Sequence, residues 1–201
     1  MGKLGSAKIY GGIGAILMLI GGIIPFVGII MPIVGLVLLF IAVKYISEEA
    51  RDESIFKNYL YYFVCNIIAI VAAAALIFVT LGGLSFLSVM HGKGGENPEF
   101  AFGSLAAVLG SIIAALVIAW VLLILASIYL RRSYNRIAKH TGVDIFRTTG
   151  TVYFIGAATL IILVGAIIIF VAKILEIVAF FSLPEEMPSP PSETMVATTE
   201  T

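Results

Sequence analysis

The sequence predicts an all-α protein, a polytopic transmembrane helical bundle of about five spans with its amino terminus in the cytoplasm. Hydrophobic residues make up 61% of the chain and charged residues only 12%, whereas soluble domains are about 25% charged. The mean hydropathy is +1.13. The apolar residues form long runs without a charge, and a short segment rich in Lys and Arg, Tyr129–Arg147, separates two of these runs.

The first uncharged run, Ile9–Val43, is too long for one straight span. At 1.5 Å per residue it would extend roughly 52 Å, against a hydrocarbon core of about 30 Å. Proline and glycine favour a break, and a Pro-x-x-Gly pattern occurs twice in the run, at Pro25 to Gly28 and at Pro32 to Gly35. We therefore predict a hairpin with spans at about 9–24 and 27–44, turning at the first pattern. A single kinked span is the alternative, but it would separate Lys3 and Lys8 from the side of the basic segment.

Small residues recur every seven positions in this region, at Gly14, Gly21, Gly28, Gly35 and Ala42. Packing drives helix association in a bilayer, and small residues in register let helices approach closely. We interpret the glycines of this stripe, together with Pro25 and Pro32, as candidate packing residues. A pore or ligand groove along the stripe is the alternative.

Two further uncharged regions predict the third and fourth spans, at about 59–81 and 104–130. The polar segment Lys44–Lys57 is predicted to be a cytoplasmic linker and Gly82–Ala101 an exterior loop. Asn66 lies inside the third span. It is a candidate for an interhelical hydrogen bond, with a substrate contact as the alternative.

The basic segment determines the predicted orientation. Its cationic residues are Arg131, Arg132, Arg136, Lys139 and Arg147, against one acid, Asp144. Membrane proteins keep such Lys/Arg-rich short segments on the cytoplasmic side, so these five residues are the candidate topology determinants. They predict a multi-pass protein of the cell membrane with its amino terminus and both linkers inside.

The last apolar region predicts a fifth span at about 150–172, followed by residues 173–182 that lie at the interface or re-enter the bilayer. Lys173 and Glu176 are charged residues embedded in this apolar run. We interpret them as an interfacial pair on the exterior side, because a lysine stem can stay in the apolar layer while its ammonium reaches water. The alternative places a second hairpin at Gly165, which adds a sixth span and buries both charges.

Composition changes at the carboxyl end of the chain. Residues 184–201 contain several prolines and glutamates but no Lys or Arg, which predicts a disordered tail outside the cell. The membrane-embedded helical domain is therefore predicted to be residues 1–183.

The two cytoplasmic linkers end in similar strings, Ser54-Ile-Phe-Lys57 and Asp144-Ile-Phe-Arg147. Each string precedes a span that begins with a Tyr-Phe pair, Tyr62-Phe63 or Tyr153-Phe154. These matches indicate an internal repeat of span, linker and returning span. Many transporters are built from repeats, but purely structural bundles are too.

The chain carries no sequence motif of a known reaction. It lacks the H-E-x-x-H, G-x-S-x-G, P-loop and dinucleotide-binding patterns, and one cysteine, Cys65, excludes a cysteine-based metal cluster. We predict no catalytic residue, no cofactor and no metal site, and hence no enzyme. Because the charges of the basic segment are needed for topology, we also predict no nucleic-acid partner.

Two functions from different classes remain. In the first, the protein acts within the lipid bilayer by packing its helices against itself or against partner membrane proteins. The glycine stripe and the scarcity of buried charge favour this function. In the second, it is a small-solute or ion transporter or channel built from the internal repeat. The repeat, the Pro/Gly-broken first hairpin and the pair Lys173 and Glu176 favour that alternative.

Three stretches of the chain resemble a known family. They are IPFVGIIMPIVGLVLLFIAVKYIS, SYNRIAKHTGVDIFRTTGTVYFIGA and ILEIVAFFSLPEE. Together they are similar to an uncharacterised, largely archaeal family of membrane proteins catalogued as domain of unknown function 996. The similarity extends over nearly the whole chain, as far as Glu186. The resemblance implies a membrane location and this helical architecture, and it implies no activity.

Overall fold

The computed structural model describes residues 2–23, 30–90 and 98–188, and the regular structure in these ranges is helical. The helices are α1 (Lys3–Ile23), α2 (Ile30–Glu49), α3 (Glu53–Met90), α4 (Pro98–Thr141), α5 (Ile145–Ala158) and α6 (Val164–Phe181), with a 3-10 turn at Leu160–Ile162. Five of these helices, all except α5, are long and apolar enough to cross a membrane. The predicted all-α helical fold class is therefore confirmed.

The described chain forms two compact units. Unit 1 contains the residues up to Phe56, then Ser133–Thr149, then the residues from Lys173 onward. Unit 2 contains Lys57–Arg132 and Gly150–Ala172. Unit 1 thus gathers the start of the chain, both polar linkers and the end of α6, whereas unit 2 holds most of α3, α4 and α5.

In unit 1, α1 and α2 pack against each other as a hairpin, not as one kinked helix. A Cβ atom added to Gly14 would lie 2.7 Å from the Gly35 carbonyl oxygen, and one added to Gly35 would lie 2.6 Å from the Gly14 carbonyl oxygen. A Cβ atom at Gly21 would lie 2.5 Å from two ring carbons of Pro32. These four residues of the sequence pattern therefore lie where the two helices approach most closely.

An ion pair joins α1 and α2 at the open end of this hairpin. At the open end, Lys3 Nζ lies 2.8 Å from Glu48 Oε2, and both side chains are exposed. The residues predicted to form the turn, Pro25 and Gly28, lie outside the described residues. The antiparallel direction of α1 and α2 follows from the contacts between the helices, not from the turn.

Gly14→Leu should destabilise the protein by on the order of 1–3 kcal/mol through overpacking. The new side chain meets backbone atoms of α2, at Gly35 and at Leu39, and backbone cannot move aside as a flexible side chain does. Thermal unfolding in detergent measures the loss. Gly5→Leu in the same helix is the control, because no described atom beyond the local helix backbone lies within 4 Å of a Cβ at Gly5. Equal melting temperatures for the two variants would contradict the close contact.

The single fifth span that the sequence predicted over residues 150–172 is not formed. The helix is interrupted between α5 and α6, where Leu163 has the left-handed conformation with φ 62°. Gly156 on α5 and Gly165 on α6 face each other so closely that a Cβ on either would meet backbone atoms of the opposite helix. Because both positions lack a side chain, the two helices can fold back on each other. The α5–α6 pair is the second hairpin of the alternative prediction.

As a result, α6 returns the chain to the part of unit 1 that contains the start of α1. A Cβ at Gly2 would lie 3.5 Å from the Glu185 carbonyl oxygen, and one at Gly142 would lie 3.9 Å from Cγ of Pro188. The prediction that the chain ends on the side opposite to its amino terminus is therefore wrong as far as Pro188. Residues 189–201, which hold most of the predicted tail, lie outside the described residues.

Both polar linkers are shorter than predicted, because helices extend into them. α4 continues through most of the basic segment, where Tyr134, Ile137 and Ala138 form a buried stripe at helical spacing. It ends at Thr141, and the next residue, Gly142, has φ 73° and donates its backbone N–H to the Ala138 carbonyl oxygen at 3.0 Å. α2 and α3 likewise extend beyond the spans predicted from hydropathy, and the predicted exterior loop is partly helical. Charged side chains end an apolar run, but they do not end a helix.

Candidate functional site

A polar cluster formed by Tyr134, Lys173 and Glu176 is buried in unit 1. The Tyr134 hydroxyl donates a hydrogen bond to Glu176 Oε1, and Lys173 Nζ lies 2.8 Å from Glu176 Oε2. The side chains of Lys173 and Glu176 are 16% and 3% exposed, and Tyr134 is fully buried. Each oxygen of the Glu176 carboxylate therefore has a partner.

Aromatic rings pack beside this polar cluster. Phe146 lies edge-on to Tyr134, with ring centroids 5.4 Å apart, and edge-on to Phe180, with centroids 5.1 Å apart. All three rings are fully buried. Gly11 on α1 makes room for the Phe180 ring, which would overlap a Cβ at that position. In such apolar surroundings a charge depends on its partner, because water cannot replace the partner.

Two features of the fold bring the polar cluster together. The extension of α4 beyond its apolar part carries Tyr134 into unit 1, and the second hairpin brings α6 back to it. Lys173 and Glu176 are three residues apart on α6 and so lie on the same face of that helix. Their interpretation as an interfacial pair on the exterior side, with the Lys173 ammonium in water, is therefore wrong.

The polar cluster places a phenol hydroxyl, a carboxylate and an ammonium in one connected chain. Such a chain can hold or pass a proton, since each of the three groups can bind and release one. It provides one carboxylate only. In the part of the chain that the structure describes, no group of three or more His, Cys, Asp or Glu side chains could hold a metal ion.

A second polar group in unit 1 surrounds Asp52, between α2 and α3. Its carboxylate accepts hydrogen bonds from the Ser54 backbone N–H at 3.0 Å, from the Ser54 hydroxyl, and from Arg136 Nη1 at 3.1 Å. His140 Nε2 lies 3.3 Å from the same carboxylate. Burial by itself raises the pKa of Asp52, but these hydrogen bonds outweigh it and lower the pKa to about 2. Arg136, a predicted topology determinant, thus also joins the two linkers.

Asp52→Asn should destabilise the protein at neutral pH and should matter progressively less in acid. The folded-state pKa of about 2 lies below the ordinary value of 3.8, so the stabilisation is complete above pH 4 and is lost between about pH 4 and pH 2. Because Arg136 and His140 are partly exposed, we expect a loss on the order of 1–2 kcal/mol at pH 7. Chemical unfolding of both proteins in detergent at pH 7 and pH 2.5 measures this difference.

Asp144→Asn is the matched control for this prediction, because Asp144 occupies the other linker and its side chain is 80% exposed. We expect that substitution to change stability little at either pH. An Asp52→Asn protein that lost as much stability at pH 2.5 as at pH 7 would contradict the hydrogen-bonded carboxylate.

The other predicted topology determinants lie along the end of α4 and the start of α5. Arg131 and Arg132 each lie over an aromatic ring, 5.8 Å from its centroid. Lys139 is exposed in the last turn of α4, and Arg147 Nη1 is 3.6 Å from Asp144 Oδ1. These cations do not converge on one site. The cytoplasmic orientation that they indicate stays a prediction.

In unit 2, Asn66 forms a hydrogen bond within its own helix and not the interhelical one that was predicted. Its Nδ2 atom donates to the Tyr62 carbonyl oxygen at 2.8 Å. Asn66 also lines a cavity of about 400 Å³, which Trp120 lines from α4. Trp120 Nε1 donates to the Ala157 carbonyl oxygen at 3.0 Å. That oxygen lies in the last turn of α5, where carbonyl groups lack partners within the helix.

The two halves of the proposed repeat occupy similar places in the fold. Both similar strings lie at the start of a helix, α3 or α5. Their equivalent residues are not buried alike, because Ile55 and Phe146 are buried whereas Phe56 and Ile145 are half-buried. Further along these helices, the rings of Tyr62 and Tyr153 meet edge-on with centroids 6.0 Å apart, and their hydroxyl oxygens lie 3.5 Å apart. The internal repeat therefore stays a prediction, and no function is assigned to it.

The sequence did not predict the roles of Tyr134 in the polar cluster and of Gly11 beside it. Tyr134 stands in a segment interpreted as a linker, and its only signal is helical spacing with Ile137 and Ala138. Gly11 stands outside the seven-residue stripe, and nothing in the sequence links it to Phe180.

The fold and these contacts define a class of protein, an all-α chain whose described residues form five long apolar helices of the kind found in integral membrane proteins. The chain belongs to the family described as Protein of unknown function (DUF996), whose family model matches residues 31–174. It is 36% identical over 187 residues to an uncharacterized protein of Methanocaldococcus jannaschii, covering 93% of this chain and 97% of that relative. No solved structure matches the chain. The resemblance found in the sequence is thereby confirmed.

Proposed function

We propose that the protein is a multi-pass protein of the cell membrane, not an enzyme, that acts by packing its helices against a second copy of itself or against another membrane protein. The basic residues near the ends of α4 and α5 support a cytoplasmic location for the amino terminus and both linkers. The non-enzymatic part of the proposal rests on the sequence, which contains no motif of a known reaction. The lipid bilayer is the surrounding partner, and nucleic acid is not a partner.

A groove on unit 2 carries the proposal. Its volume is about 490 Å³, and small residues predominate among those that line it, namely Ala72, Ala75, Leu76, Val79, Thr80, Ser111 and Ala114. Elsewhere α3 and α4 present large apolar side chains, such as Phe78 at 78% and Ile113 at 61% exposure. Lipid chains cover large side chains well, whereas small ones allow a helix backbone to approach closely. A partner helix therefore gains more contact in this groove than a lipid chain does.

Cysteine crosslinking in native membranes tests the proposal. Ser111→Cys, in a Cys65→Ser background, should give an adduct of twice the 21.4 kDa chain mass with a short bis-maleimide. Ala75→Leu fills the groove and should abolish that adduct. Ile113→Cys is the control, because its side chain is exposed on the same helix but does not line the groove.

Each outcome of this experiment decides the proposal. Equal adducts from Ser111→Cys and Ile113→Cys, or none from Ser111→Cys, would overturn it. An adduct of another mass that Ala75→Leu removes would assign the groove to a different membrane protein.

The second candidate function, a small-solute or ion transporter, has a specific observation in its favour. The helical structure is interrupted between α5 and α6, within an apolar region. Interrupted helices often form transport sites in membrane proteins. The connected side chains of Tyr134, Glu176 and Lys173 could carry the proton in such a transporter. A proton leak through proteoliposomes would support transport over packing if the double variant Lys173→Met/Glu176→Gln, which is expected to keep most of its stability, removes it.

A further inference from the structure

The cavity beside Asn66 and Trp120 in unit 2 has the size and lining of a small-molecule site. Its volume is about 400 Å³, within the range of roughly 300–1,000 Å³ that is typical of ligand pockets. Its walls are largely apolar, with Ala69 from α3, Leu116 from α4 and Leu160 from the turn before α6. None of the residues that line it is charged.

The polar atoms of the cavity offer one hydrogen-bond acceptor. The Asn66 Nδ2 atom is engaged with the Tyr62 carbonyl oxygen, and the Trp120 N–H is engaged with the Ala157 carbonyl oxygen. The Asn66 Oδ1 atom remains, and no hydrogen bond to it is formed by the residues that the structure describes. A ligand therefore meets an acceptor in an apolar, uncharged wall.

The position of the cavity restricts the ligand further. Asn66 lies roughly 20 Å along α3 from its first residue, Glu53, at 1.5 Å per residue. This part of α3 belongs to a candidate membrane span, so a ligand reaches the cavity through the hydrocarbon layer. A charged molecule would find no counter-charge there, and burial of an unpaired charge is costly.

We propose that this cavity binds a neutral, membrane-soluble molecule with an apolar chain and a hydroxyl group, the chemical class of a long-chain alcohol. The hydroxyl donates to Asn66 Oδ1, and the chain lies against the Trp120 indole and the Leu116 and Leu160 side chains. The site is separate from the groove proposed for helix packing and does not depend on it.

Trp120 reports binding directly, because the chain contains one tryptophan and a bromine atom quenches indole fluorescence on contact. The full chain in detergent is titrated with 11-bromoundecan-1-ol and, separately, with 1-bromoundecane, which lacks the hydroxyl. The alcohol should quench Trp120 with a saturable curve. It should reach half-saturation at a roughly 2- to 12-fold lower concentration than the bromoalkane, which is the effect of one hydrogen bond.

Two variants and one control complete the test. Asn66→Leu should remove the difference between the two probes while Trp120 keeps its own hydrogen bond. Ala119→Phe should fill the cavity and abolish saturable quenching, whereas Val121→Phe, on the same helix but outside the lining, should leave both curves unchanged. Equal affinity for the two probes, or quenching that only rises in proportion to probe concentration, overturns the proposal. Persistence of the difference in Asn66→Leu overturns it as well.

Discussion

Lys173→Met and Glu176→Gln should each destabilise the folded protein by on the order of 3–5 kcal/mol, the usual loss when one partner of a buried ion pair is removed. Lys173→Met leaves the Glu176 carboxylate, whose side chain is 3% exposed, with the Tyr134 hydroxyl alone. Glu176→Gln leaves the ammonium beside a neutral amide. The double variant removes both charges of the pair and still offers Tyr134 an acceptor, so it should recover most of the loss. Unfolding free energies of the four proteins in mixed micelles give the coupling.

The chain contains a matched control for this experiment. Lys3 and Glu48 are also 2.8 Å apart, but their side chains are 54% and 39% exposed. Lys3→Met and Glu48→Gln should change stability little, because exposed pairs are screened by water and salt. Equal effects at the two pairs would show that water reaches Glu176. Strong losses at Lys173 and Glu176 only, with recovery in the double variant, would establish the buried pair.

The four helices α1 to α4 could be predicted because uncharged runs report directly which residues avoid water. Their ends could not, because helix ends depend on hydrogen bonds and backbone conformation. Gly142 ends α4 through its left-handed conformation, well beyond the last residue of the predicted span. Hydropathy does not contain that information, because the segment between Leu130 and Gly142 is mostly polar and is nevertheless helical.

Hydropathy could not predict the break between α5 and α6. No proline or charge marks residues 159–163, so an apolar run that folds back looks the same as one that continues. The break depends on a contact between Gly156 and Gly165, and single glycines in membrane helices are too common to predict a reversal. The length of the last apolar region allowed a turn at Gly165. That length did not favour the turn over a single span followed by an interfacial segment.

The candidate site was predictable in part. Lys173 and Glu176 are recognisable because charges inside an apolar run are rare. Their burial was not predictable, because it requires the α5–α6 hairpin. Their partner Tyr134 is 42 residues from Glu176 along the chain, and a tyrosine near a membrane interface has many ordinary roles.

Gly165→Ala should open the α5–α6 hairpin. A Cβ at this position meets backbone atoms, namely the Gly156 carbonyl oxygen and the N and Cα of Leu160. Backbone cannot rotate away, so we expect a loss at or above the upper end of the 1–3 kcal/mol that is typical of overpacking. Separation of the helices should also break the hydrogen bond from Trp120 Nε1 to the Ala157 carbonyl oxygen. The unfolding free energy and the emission maximum of the single tryptophan should therefore change together.

Gly110→Ala adds the same methyl group to a helix interior where, among the described residues, no atom beyond the local helix backbone lies within 4 Å of the new Cβ. Alanine is the better helix former, so this control should stabilise the protein by roughly 0.5–1 kcal/mol and leave the emission of Trp120 unchanged. The two substitutions differ only in what the methyl group touches, so opposite signs would isolate the contact between Gly156 and Gly165. If Gly165→Ala instead behaved like Gly110→Ala, the helices would not approach each other at these glycines. The single span over residues 150–172 would then be restored, with Lys173 at the far end of it.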